Sequence, residues 1–145
     1  MRDLPRQLTA DELAELFEGR TRLVELLALR EDPLEAAPEV IAELSEAEKL
    51  QALNAHPAIG SRDLSERSAE EQGSDAEPVI LTELAYLNQV YEEKFGFRFV
   101  VFVDRRPKAE ILEVLRERLE RSREEELETA LEELVAIARD RWQRS

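Results

Sequence analysis

The chain lacks cysteine altogether, and in 145 residues it carries one histidine, one methionine, one tryptophan and four glycines. Without cysteine there is no disulfide framework, no thiolate nucleophile, no zinc–sulfur site and no dithiol redox motif. With His56 the sole imidazole, no transition-metal site is expected either. Positive charge is also scarce: 20 Lys+Arg stand against 34 Asp+Glu, a formal net charge of -14. Such a surface repels phosphate backbones and anionic lipid heads, so neither nucleic acid nor a membrane is an expected partner. Long apolar runs are missing as well, none approaching the ~18 residues that a membrane span needs. The opening MRDLPRQLTADELAELF is too polar for a secretory signal, and the expected location is the cytoplasm. The length fits one domain, residues 1–145, able to bury a single core.

What is present is helical spacing. Thr9 and Glu12 stand at the capping-box interval, with Leu8 placed to staple onto Leu13, which predicts a helix that stops at Gly19. A second helix follows Thr21 and buries Leu23, Leu26 and Leu27. Pro33 and Pro38 bracket a break, after which Val40, Ile41 and Leu44 mark a short helix. Ser45 and Glu48 repeat the capping-box spacing and open a helix that turns Ala47, Leu50 and Leu53 inward and ends near His56, because the residue before a proline is biased away from helical angles. PVILTELAYLNQVYEEKFG is a long amphipathic helix through Leu84, Leu87, Asn88, Tyr91 and Phe95, closed by Gly96. Ile111, Leu115 and Leu119, then Leu127, Leu131, Leu134, Ala138 and Trp142, predict two more. The fold class is therefore all-α, a single-domain helical bundle.

One stretch breaks this pattern. FRFVVFV, residues 97–103, is short, apolar and rich in β-branched and aromatic residues, between Gly96 and the turn-like DRRP. It reads as extended chain with no second strand to pair with, so its backbone groups need other partners; the alternative is a buried helix turn or connector.

Three places have the residues for chemistry, each with a plainer reading beside it. His56 at a helix C-terminus would feel the negative end of the dipole, which favours the protonated form and suits a general acid; alternatively its ring merely caps the last free carbonyls. In SAEEQ, residues 68–72, Ser68 and Glu71 have capping-box spacing, while a helix N-terminus with Glu71 and Gln72 could also present donors and acceptors to an anionic ligand. In IARDRW, Arg139 and Arg141 are two apart, so only one easily faces inward; an inward arginine is a fork for a carboxylate or a urea-like group, and an outward one is a solvated ion-pair partner. The run SREEELETALEE reads as a solvated helical face.

In order along the chain, FEGRTRLVELLALR, AHPAIG, SAEEQ, LNQVYEEKFGFRFVVFV and LRERLERSREEELETALEELVAIARDR form a set. Together they resemble the OHCU (2-oxo-4-hydroxy-4-carboxy-5-ureidoimidazoline) decarboxylases of urate breakdown, over nearly the whole length. Three stretches depart from the pattern: GSDAEP follows the Glu-Gln pair, Ala-Ile follows His-Pro, and DRRP stands where a glycine-containing turn is more usual. The resemblance implies an all-α, dimeric, cofactor-free carboxy-lyase that turns a small ureidoimidazoline into (S)-allantoin. By it, His56 is the acid/base, Glu71 its catalytic partner and Arg141 the arginine of the last helix. Pro57, Ser68, Ala69, Glu70, Glu71 and Gln72 would bind substrate, as would the backbone of Phe99, Val100, Val101, Phe102 and Val103. The reading from another class is a non-catalytic helical interaction module that keeps the fold.

Overall fold

The computed structural model describes residues 8–57 and 77–144. Among them run seven helices: α1 Ala10–Phe17, α2 Arg22–Leu27, α3 Pro33–Glu43, α4 Glu46–Asn54, α5 Pro78–Phe95, α6 Lys108–Leu119 and α7 Arg123–Gln143. The all-α expectation holds, with no strand among the described residues.

The helix starts are local chemistry. Thr9 and Glu12 exchange side chain-to-backbone bonds of 3.1 Å each, and Ser45 and Glu48 do the same at 2.9 and 3.2 Å. Ser122 and Glu125 form a third capping box that opens α7. Each box satisfies two amides that the first helical turn leaves without partners.

Pro38 does not end a helix. It lies inside α3, which runs unbroken from Pro33 at its first turn. A proline there removes the amide that would have bonded the carbonyl four residues back, that of Leu34. Arg139 of α7 supplies the replacement, its Nη2 donating to the Leu34 carbonyl at 2.9 Å. A long-range side chain thus repairs what the local sequence breaks.

The buried apolar side chains form one cluster, with α7 packed against α1, α3 and α4, α2 against α1, α3 and α4, and α5 against α6. In α4 the inward face is set by Ala52 and Leu53; Leu50 is half-buried and Ala47 exposed, a rotation from the expected face that follows from where α2 and α7 meet the helix. The SREEELETALEE face is not wholly solvated either. Glu126 is fully buried and accepts hydrogen bonds from the Tyr91 hydroxyl (2.5 Å), Arg118 Nε (2.7 Å) and Arg121 Nη1 (2.9 Å).

The segment 97–103 is neither helix nor strand and pairs with no strand among the described residues. Arginines do much of the work of a sheet partner. Arg118 donates to the Val100 carbonyl at 2.8 Å and Arg106 to those of Phe102 and Val103 at 2.5 and 3.0 Å, while just before the segment Arg123 donates to the Phe95 carbonyl at the end of α5 at 2.8 Å. The Phe102 amide donates to Glu133 at 3.2 Å, and the Arg98 amide to the Asn54 side chain at 2.9 Å. Phe97 and Phe99 fold onto Tyr91, with ring centroids 5.9 and 5.2 Å away. The segment leaves through the expected turn, where Asp104 and Arg105 both take positive φ and the Arg106 amide bonds the Val103 carbonyl at 3.0 Å.

Candidate active site

Two helix C-termini converge to make the site. α1 ends at Phe17, with Glu18 rather than Gly19 in the left-handed cap position (φ 66°, ψ 19°). α4 ends at Asn54, with Ala55 and His56 following. Gly19 is what lets the two corners touch, because a Cβ on it would lie 3.3 Å from the Cβ of Ala55. Helix C-termini present unbonded carbonyls and partial negative charge, so the junction attracts cations.

Two arginines answer that demand. Arg141, reaching from the last turn of α7, is only 1% exposed; its Nη1 donates to the Leu16 carbonyl at 3.1 Å and pairs with Glu18 Oε1 at 2.9 Å. Arg98, from the 97–103 segment, donates through Nη1 to the carbonyls of His56 and Asn54. Of the two arginines in IARDRW, then, Arg141 faces inward and Arg139 stays on the exposed side while reaching the α3 carbonyl.

His56 stands between them, 5% exposed, and its Nε2 finds no hydrogen-bond partner among the described residues. The ring does not cap its own helix, since Arg98 already holds those carbonyls. Nor is the imidazole biased toward the charged form, as the helix terminus alone would suggest. Burial pushes its pKa down to about 4, Arg141 and Arg98 push the same way, and Glu18 opposes them. The dipole argument fails here because the carbonyl field is already spent on arginine cations while the ring itself has lost its water.

Of the residues expected at a site, the structure brings His56 and Arg141 together and ties the 97–103 segment to His56 through Arg98. Pro57 follows the ring, half-buried. Phe99, Val100, Val101 and Val103 are buried and Phe102 partly so. Both backbone groups of Phe102 are already engaged, whereas no hydrogen bond involving a described residue uses the amide or carbonyl of Phe99 or Val101. Ser68, Ala69, Glu70, Glu71 and Gln72 lie outside the described residues. Sequence reasoning missed Glu18 and Arg98. Glu18 looks like any acidic residue before a helix-stopping glycine, and Arg98 like any charge in an apolar run. No group of three or more His, Cys, Asp or Glu side chains placed to hold a metal occurs among the described residues.

Fold and site together define an all-helical protein built around one buried imidazole that is short of hydrogen bonds and flanked by arginine. The chain belongs to the OHCU decarboxylase family, whose sequence profile matches residues 2–143. It is 32% identical over 109 residues to a 2-oxo-4-hydroxy-4-carboxy-5-ureidoimidazoline decarboxylase of Halalkalicoccus jeotgali, a match covering 72% of this chain and 62% of that one. To a uric acid degradation bifunctional protein of a Bacillus species it is 34% identical over 110 residues, 72% of this chain and 22% of the longer relative. The aligned chain thus spans less than two thirds of either relative's length. Among solved structures, a crystal structure of OHCU decarboxylase in the presence of (S)-allantoin superposes with a TM-score of 0.76 at 26% identity, covering 90% of this chain and 94% of the other.

Proposed function

We propose that this protein catalyses the cofactor-independent decarboxylation of 2-oxo-4-hydroxy-4-carboxy-5-ureidoimidazoline to (S)-allantoin in urate breakdown, with His56 as general acid/base. The observation that carries the reading is the His56 ring nitrogen, buried and without a partner among the described residues. A buried polar atom left unsatisfied costs free energy, and a ligand that supplies the missing bond offsets that cost. Membership of the family supplies the reaction.

The substrate carries hydroxyl and carboxylate on one carbon next to an imine-like centre. When the carbon–carboxylate bond breaks, its electron pair forms a carbon–carbon double bond, and the imine π pair moves onto nitrogen, which takes a proton. The ring is its own electron sink. What remains is an enol whose hydroxyl must lose a proton while the neighbouring carbon gains one on a single face. A neutral imidazole suits the first half of that exchange, and its protonated form the second. The carboxylate has by then left as carbon dioxide, so the charge that helps the buried ring hold the proton for that interval is the one developing on the enol oxygen as its proton departs. Glu71 is assigned as the partner that orients the exchange, and Ser68, Ala69, Glu70 and Gln72 as substrate contacts alongside Pro57. The backbone groups of Phe99 and Val101, for which no hydrogen bond occurs among the described residues, suit the amide and ureido groups of such a ligand. The same reading makes the enzyme a cytoplasmic homodimer.

The test is turnover of freshly generated substrate followed by circular dichroism. Wild-type protein should give one allantoin enantiomer rapidly, and His56→Gln should lose on the order of 10²–10⁴ in rate while keeping its helical spectrum. Undiminished turnover in that variant removes His56 from the mechanism. No acceleration by the wild type returns the chain to the interaction-module reading.

A further inference from the structure

We propose that Glu18 is a positioning residue of this site: from the cap of α1 its carboxylate holds Arg141 in register with His56 and balances the positive charge that the imidazole faces. The inference rests on the reading of His56 and Arg141 as working groups, and adds a role for a residue to which the resemblance assigns none.

Three observations carry it. The first is geometry: Glu18 Oε1 lies 2.9 Å from Arg141 Nη1, and both side chains are largely withdrawn from solvent, at 11% and 1% exposure. The second is backbone. Glu18 holds φ 66°, a left-handed conformation that glycine adopts freely and a side chain resists, although a glycine stands one position later. A Cβ at Gly19 would crowd that of Ala55 at 3.3 Å, and the left-handed position one residue earlier carries a carboxylate. Local strain of this kind persists where the surroundings over-determine it, and such places cluster at functional sites. The third is charge. Among the described residues, the charged groups acting on the imidazole are Arg141 from α7, Arg98 from the 97–103 segment and Glu18 from the α1 corner; Glu18 alone favours proton uptake. A ring that must carry a proton briefly cannot face two cations without a counterweight. Glu18 does this without touching the reacting atoms.

Two substitutions separate positioning from mere support. Glu18→Gln keeps length and an acceptor oxygen but removes charge; Glu18→Asn removes charge and suits the left-handed backbone better. In each, kcat should fall roughly ten- to a hundredfold with a smaller change in KM, as expected when a working group is misplaced by a fraction of its reach. Because His56 is the only histidine, its ring can be titrated unambiguously by NMR in the full chain, and both variants should shift its pKa downward. Glu18→Gln combined with Arg141→Lys should be no slower than Arg141→Lys alone, since the two act as one unit. Wild-type kcat with wild-type ring titration in either folded variant overturns the proposal. So does a loss of activity that follows melting temperature with the titration unmoved, or a failure of both variants to fold. If the wild-type protein does not turn over the substrate, the functional reading fails, yet the ring titration still decides whether Glu18 sets the charge at His56.

Discussion

Two buried arginine–carboxylate pairs among the described residues end differently. At the junction of α5, α6 and α7, Glu126 takes bonds from Tyr91, Arg118 and Arg121, while Arg118 also holds the Val100 carbonyl and lies 4.6 Å from the centre of the Phe99 ring. The carboxylate there takes three donors, and burial together with the hydrogen bond that the Tyr91 hydroxyl donates to Glu126 raises that hydroxyl's pKa well above the ordinary value. At the meeting of α1, α4 and α7, the Arg141–Glu18 pair has the same composition and a similar carbonyl contact, but beside it sits an imidazole whose Nε2 has no hydrogen-bond partner among the described residues. The first arrangement has its demands met internally and therefore specifies structure. The second leaves His56 Nε2, and near it Arg98 Nε, without a hydrogen-bond partner among the described residues, which is why it reads as the working site.

The largest expected effect comes from breaking the closed pair. Glu126→Ala strands two guanidinium groups and a hydroxyl, and removing one member of a buried ion pair typically costs ~3–5 kcal/mol. Urea unfolding monitored by circular dichroism should show that loss, and a change below about 1 kcal/mol would mean that water reaches the knot and erases the contrast.

The open site has a pH signature instead. The His56 pKa is about 4 in the folded protein against 6.5 for an ordinary imidazole, so between those values the unfolded chain binds the extra proton. Stability from the neutral buried ring is full above about pH 6.5, falls as pH drops toward 4, and is not lost further below that. Between pH 7 and pH 5 the contribution is roughly 2 kcal/mol. The stability difference between wild type and His56→Gln should shrink by that amount on acidification through this window. An unchanged difference would show a solvated ring.

Tyr91→Phe is the mildest change. It removes one of three donors to Glu126 while both arginines remain, so about 1.5 kcal/mol should be lost, at the lower end for hydrogen bonds to charged groups, with turnover intact. A selective loss of turnover would join the closed knot to the open site.

How much of this was legible in the chain follows the range of the forces involved. The caps at Thr9 and Ser45, the inward positions of α5 and the stop at Gly96 lie within four residues of their partners, and each could be read directly. Pro38 misled because its repair comes from Arg139, about a hundred residues away. Glu126 misled because one carboxylate in an acidic run looks like the next until packing closes over it. That 97–103 breaks the helical pattern was legible from its residues, whereas its backbone partners, the side chains of Asn54, Arg106, Arg118 and Glu133, were not. His56 was picked out by rarity, but the direction of its pKa was misjudged, since a helix terminus is visible in sequence and the cations that quench it are not.

By itself, the sequence determined that the chain is helical, where most helices begin and end, that thiol chemistry is excluded, and which single imidazole could move a proton. Those properties depend on composition and on contacts a turn or less apart. Only the tertiary structure decided that Glu18, His56, Arg98 and Arg141 share one junction, that the ring there is neutral, and that Glu126 belongs to the interior. Burial and charge pairing are properties of the packed chain, and residues more than a hundred positions apart acquire them only when the helices that carry them meet.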